Sequence, residues 1–61
     1  MRFTEGEIER SAILLAQRYG AEALPMATRR LHQLAKADDS VGAGVWQMIV
    51  TALEKIERRL H

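Results

Sequence analysis

The chain has 61 residues, so it is one domain at most and lies near the lower size limit for folding alone. Apolar residues make up 48% and charged residues 28%, which is typical of a globular protein rather than a disordered one. Cysteine is absent, and the formal net charge is only +1. This composition excludes a disulfide mini-protein, a zinc finger, a polybasic arm and a large enzyme, but it does not define a function.

The first helix is predicted over residues 4–19. Thr4 and Glu7 have the spacing of a capping box, and Phe3 and Ile8 have the spacing of a hydrophobic staple. Gly20 is a natural C-terminal residue for this helix, because it adopts a positive φ without strain. Apolar residues at helical spacing form one face. This face contains Ile8, Ala12, Leu15 and Tyr19.

The second helix is predicted over residues 22–37. Its start is open by a few residues, because Pro25 is tolerated in a first turn but not in a helix interior. The apolar stripe of this helix contains Leu24, Ala27, Leu31, Leu34 and Ala35.

The third helix is predicted over residues 40–60, after the turn and cap cluster Asp38-Asp39-Ser40. Its seam contains Trp46, Ile49, Leu53, Ile56 and Leu60. Gly42 projects on the side of this seam and is expected to let another helix approach closely. Gly44 projects away from the seam and is expected to lower the stability of the helix by about 1 kcal/mol relative to alanine. The alternative is a later helix start.

No strand pattern occurs, so the predicted fold class is all-α, a small three-helix bundle in a single domain over residues 1–61. The core is predicted from the three apolar stripes. Its members are Ile8, Ala12, Leu15, Tyr19, Leu24, Leu31, Leu34, Trp46, Ile49 and Leu53.

The first and third helices carry more apolar surface than such a bundle needs. Apolar side chains of the third helix cover roughly 200° of its circumference, whereas one face requires roughly 100° to 140°. In so small a core, the free energy gained by burying apolar side chains only about equals the cost of ordering the chain. Association with a second copy would bury more apolar surface, so we predict a homodimer. The alternative is a monomer in which the third helix is more deeply enclosed. The candidate interface residues are Leu14, Val45, Met48, Ala52 and Ile56.

No catalytic, cofactor-binding or metal-binding site is predicted. His32 lies between Arg29 and Lys36 in helical spacing, a cationic setting that disfavours a metal. Asp38 and Asp39 are sufficiently explained as helix caps. The longest apolar run is far too short to span a bilayer, and no targeting segment is visible, so a cytoplasmic protein without membrane contact is expected.

The sequence thus predicts a non-enzymatic helical protein–protein interaction module that self-associates through an apolar face of helix three. The alternative is a small nucleic-acid-binding regulator of helix-turn-helix type. Its candidate contacts are Arg29, Lys36, Lys55 and Arg58. The low net charge argues against nucleic acid, because neutralisation of phosphates supplies most nonspecific affinity.

The residues that begin, end and space the helices, together with one tryptophan, also resemble the pattern of a known family. The pattern consists of Ala12, Tyr19-Gly20, Ala23, Ala27, Arg30, Leu34, Asp38, Gly42, Trp46, Ile49, Ala52 and Leu53. It resembles the short uncharacterised helical proteins of alphaproteobacteria that are grouped as a domain of unknown function. The resemblance implies a small three-helix bacterial cytoplasmic protein, and it carries over no activity or site. Pro25 and Arg29 depart from that pattern.

Overall fold

The computed structural model describes residues 4–60, and the side chains of residues 4–59. Helix α1 spans Glu5–Tyr19, a 3-10 turn spans Gly20–Glu22, α2 spans Ala23–Lys36 and α3 spans Ser40–Leu60. These bounds agree with the predicted ones to within one residue. The described residues contain no strand, which confirms the all-α class.

The prediction of three separate helices is wrong in one respect. Helical residues continue without a break from Glu5 to Lys36, because the turn between α1 and α2 is itself a 3-10 helix. The described chain therefore forms two continuous helical stretches, over residues 5–36 and 40–60. Helix α3 packs against both α1 and α2, which contact each other far less than either contacts α3.

Both ends of α1 follow the sequence signals. The Thr4 hydroxyl oxygen accepts a hydrogen bond from the Glu7 backbone N–H at 3.2 Å, which confirms the predicted cap. The hydrophobic staple cannot be assigned, because Phe3 lies outside the described residues. At the other end Gly20 has φ 56° and ψ −128°, and its N–H donates to the Ala16 carbonyl. A side chain would strain this backbone, so glycine ends α1 as predicted.

The connection between α2 and α3 is very short. Asp38 has φ 59°, and its N–H donates to the Ala35 carbonyl at 3.2 Å. The next N–H, from Asp39, donates to the Leu34 carbonyl at 2.9 Å. This pair of bonds is typical of a right-handed helix that ends with a residue in the left-handed conformation, here Asp38. The Asp39 carboxylate then caps α3, so adjacent residues end one helix and begin the next.

The core lies where α3 packs against α1 and α2, and it is small. Its buried residues are Ile8, Ala12, Ala23, Ala27, Ile49, Val50 and Leu53. Three of these seven are alanines, and no large side chain among the described residues is completely buried. Four of the predicted core residues are therefore confirmed as buried, namely Ile8, Ala12, Ile49 and Leu53.

The other predicted core residues are less buried than expected. Tyr19 is 43% exposed, because it is the last residue of α1 and the chain turns directly after it. The remainder are half-buried, namely Leu15, Leu24, Leu31, Leu34 and Trp46. The prediction omitted Ala23, Ala27 and Val50, which are buried because α2 and α3 pack closely there.

The two glycines of α3 have different surroundings. A Cβ atom on Gly42 would lie 2.6 Å from Oδ2 of Asp39, so the capping carboxylate occupies the space that a side chain at position 42 would need. The three atoms nearest to this Cβ all belong to Asp39, and none of them belongs to another helix. A Cβ on Gly44 would meet nothing within 4 Å. Because α3 begins at Ser40, both glycines are helical, and the alternative of a later helix start is wrong.

Candidate functional site: two apolar grooves

An open groove of about 730 Å³ lies between α1 and the C-terminal part of α3, and we name it the α1–α3 groove. Its apolar lining consists of Ile8, Ile13, Met48, Ala52 and Ile56. Its polar lining consists of Glu5 and Glu9 from α1 and of Gln47, Thr51, Lys55 and Arg59 from α3. The groove is thus apolar between an acidic wall and a partly basic wall.

The five candidate interface residues divide between two surfaces. Met48, Ala52 and Ile56 line the α1–α3 groove. Leu14 and Val45 instead line a smaller concave surface together with Trp46. Helical geometry places Ile13 and Leu14 on opposite flanks of α1, because successive residues are turned by about 100°. The five residues therefore line two concave surfaces rather than one.

The exposed apolar side chains show which part of the surface is not covered by another helix of the chain. On α3, Val41 is 76% exposed and Met48 is 56% exposed. On α1, Leu14 is 58% exposed and Ile13 is 44% exposed. The remaining candidates, Val45, Ala52 and Ile56, are half-buried because they pack against the core.

A stripe along α3 connects these observations. Val41 was not among the predicted interface residues, although Val41, Val45, Met48 and Ala52 recur at the +4, +3, +4 spacing of one helix face. We define the α3 stripe as these four residues with Ile56. The wide arc that was predicted for this helix is only partly used inside the chain, because Val50 is buried whereas Met48 and Val41 are not.

Polar groups near the groove are satisfied locally on the surface of α3. The Gln47 side-chain amide donates to the Thr51 hydroxyl at 3.4 Å, and that hydroxyl donates to the Gln47 carbonyl at 3.0 Å. Among the described residues no polar or charged side chain is buried. No three His, Asp or Glu side chains within residues 4–60 come together in a way that would hold a metal ion.

The candidate nucleic-acid contacts occupy two helices. Arg29 and Lys36 are exposed on α2, seven residues apart and on one face, whereas Lys55 and Arg58 are exposed on α3. Of these four side chains, only that of Lys55 lines the α1–α3 groove.

Neither the described helices nor a comparison with known proteins indicates a functional class for the chain. None of the described helices combines the length and the apolar character that crossing a membrane requires. No protein-family model, curated protein or solved structure matches this chain. The resemblance to the alphaproteobacterial family therefore stays a prediction.

Proposed function

We propose that this chain is a non-enzymatic interaction module that forms a homodimer through the α3 stripe. The observation that carries the proposal is the incompleteness of the core. Among residues 4–59 no large side chain is completely buried, while Val41 and Met48 are more than half exposed on the central helix. Domains of this size that lack disulfides and metals usually reach stability through association.

The distribution of polar groups supports an interaction surface in preference to an active site. Small-molecule and catalytic sites place a few polar groups inside a concave, largely apolar pocket. Here the floor of the α1–α3 groove is apolar, and its charged residues are exposed at its walls. Such a surface suits the side chains of another helix, which bury apolar area without requiring a buried polar partner.

In the proposed dimer α3 is enclosed from two sides. Helices α1 and α2 cover one part of its surface, and the second copy covers the stripe that contains Met48. The core of each protomer, between its two continuous helical stretches, is then completed by its partner. Leu14 lies on the opposite flank of α1 and is outside this contact.

Sedimentation equilibrium of the whole chain tests the proposal. We expect a dimer at micromolar to millimolar concentration, and Met48→Glu should yield a monomer because the dimer would bury an unpaired charge. Because the separated chain loses the stability that association supplies, this variant should also show less helix by circular dichroism than the parent. His32→Glu, which is exposed on α2, introduces the same charge and should remain a dimer. A parent chain that sediments at 6.9 kDa throughout would refute the proposal.

The second candidate function is nucleic-acid binding, and the shared outward face of Arg29 and Lys36 is the observation in its favour. Fluorescence anisotropy with mixed-sequence DNA at about 50 mM salt separates the two candidates. Nonspecific DNA binders have dissociation constants of about 100 µM or tighter. Absence of binding in that range removes this candidate. Binding that Arg29→Glu abolishes, in a chain that stays monomeric, would replace the dimer proposal.

A further inference from the structure

We infer that the two copies pair their α3 helices antiparallel, with the two-fold axis beside Met48. This inference rests on the proposed homodimer and adds its orientation and register. Two independent features of α3, the charges at its ends and the positions of its apolar residues, share the same centre.

The charges at the two ends of α3 are opposite. Asp38 and Asp39 precede the helix, Arg58 and Arg59 occupy its last turn, and all four are exposed. Their midpoint falls between Met48 and Ile49. Antiparallel pairing about that point places Asp38 beside the partner's Arg59, which lies on the same face of α3 as the stripe. The two-fold axis repeats this contact at the other end, whereas parallel pairing would bring like charges together.

The apolar residues of the α3 stripe are symmetric about the same point. Val41 and Ile56 are equally distant from it, and so are Val45 and Ala52. In the antiparallel pair Val41 therefore faces the partner's Ile56, and Val45 faces the partner's Ala52. Val41, which is 76% exposed, thus gains an apolar neighbour. The centre of the stripe, Met48, lies on the axis and packs against its own copy.

The α1–α3 groove fits this register. Antiparallel pairing lays the partner's N-terminal half of α3 over the C-terminal half of this helix, where the groove lies. Arg59 lines that groove and meets the partner's acidic end. Apolar contact in the middle with charge pairs at both ends is the arrangement that fixes register in helix pairs.

Disulfide trapping tests the orientation directly, because the chain has no cysteine. The probe is the whole chain with Val41→Cys and Lys55→Cys together. Both positions are exposed, so neither change removes a core contact, and residue 55 adjoins the position that faces the partner's Val41. Along one helix the two thiols are about 21 Å apart, which prevents a bridge within a chain. We expect rapid formation of a covalent dimer in a glutathione buffer.

The two single variants are the matched controls. In the antiparallel register two copies of residue 41 are about 22 Å apart along the axis, so Val41→Cys alone should not cross-link. Cross-linking of this single variant, with sedimentation still showing a dimer, would overturn the antiparallel register while the homodimer stands. A dimer in which the double variant does not cross-link would overturn the register as well. A monomer in sedimentation would refute the homodimer and this inference together.

A charge reversal provides a second test. Arg59→Glu should weaken the dimer about tenfold at low salt, because each end then opposes like charges. Arg29→Glu on α2 changes the net charge by the same amount and should leave the dissociation constant within twofold. Equal effects of the two variants would overturn the inference.

Discussion

Asp39 and Gly42 depend on each other at the start of α3. The Asp39 Oδ1 atom accepts a hydrogen bond from the Gly42 backbone N–H at 2.9 Å. The Oδ2 atom of the same carboxylate lies 2.6 Å from the place where a Cβ on residue 42 would be. The cap and the missing side chain therefore form one local arrangement, which also fixes the turn between α2 and α3.

Loss of the cap should destabilise the chain. Asp39→Ala leaves the Gly42 N–H without its acceptor, and we expect a loss of about 0.5–2 kcal/mol in the free energy of unfolding. Asp39→Asn keeps a capping oxygen and should unfold within a few tenths of a kcal/mol of the parent. Urea unfolding followed by circular dichroism measures both. Equal losses in the two variants would contradict the role of the oxygen acceptor.

The two glycines of α3 should respond differently to alanine. Gly44→Ala adds a good helix former where nothing lies within 4 Å, so the chain should gain about 1 kcal/mol. Gly42→Ala brings the same intrinsic gain but displaces the Asp39 carboxylate. We expect it to be less stable than Gly44→Ala by about 0.5–2 kcal/mol, the value of the cap. Similar midpoints for the two variants in urea would show that the carboxylate moves without cost.

Gly20 should be needed for its backbone alone. A Cβ at this position would contact nothing within 4 Å, yet φ is 56° there. Gly20→Ala should therefore lower the free energy of unfolding by about 1–3 kcal/mol through local backbone strain, without a clash against other parts of the chain. Thermal unfolding compares it with Gly44→Ala, which is the same substitution at a helical φ. A stabilised Gly20→Ala chain would mean that the bend between α1 and α2 relaxes.

The sequence predicts the helices of this chain well because their ends carry local signals. The Thr4 hydroxyl, the positive φ of Gly20 and the Asp39 carboxylate each act within three or four residues. Such interactions depend on spacing along the chain and need no knowledge of tertiary packing. For the same reason the 3-10 conformation of residues 20–22 was not predicted, since no side chain specifies it.

Burial was predicted less accurately because it depends on how closely the helices approach. Ala23 and Ala27 are buried, while the larger Leu24 and Leu31 stay half-buried beside them. An apolar stripe shows which face turns inward, but it does not show which small residues allow contact between backbones. The sequence also did not show that the candidate interface residues line two grooves, with Leu14 and Val45 in one and Met48 in the other.

Truncation of the core should separate buried from exposed leucines. Leu53 is 2% exposed, and Leu53→Ala should lose about 2–5 kcal/mol because it leaves a cavity. Leu14 is 58% exposed, so Leu14→Ala should change the free energy of unfolding by only about 0.5 kcal/mol. Urea unfolding of both variants, at one protein concentration, provides the comparison. Comparable losses would place Leu14 in an interface that the proposed dimer does not use.

The melting temperature should depend on protein concentration if folding and dimerisation are coupled. For a dimer of two 61-residue chains that unfolds directly to separated chains, the melting temperature should rise by about 6 °C for each tenfold increase in concentration. Met48→Glu should melt at a temperature independent of concentration, because its stripe no longer associates. His32→Glu should retain the dependence of the parent chain. Scanning calorimetry from about 10 µM to 1 mM measures all three chains, and a parent melting temperature that stays constant over this range would show that the single chain reaches its stability without a partner.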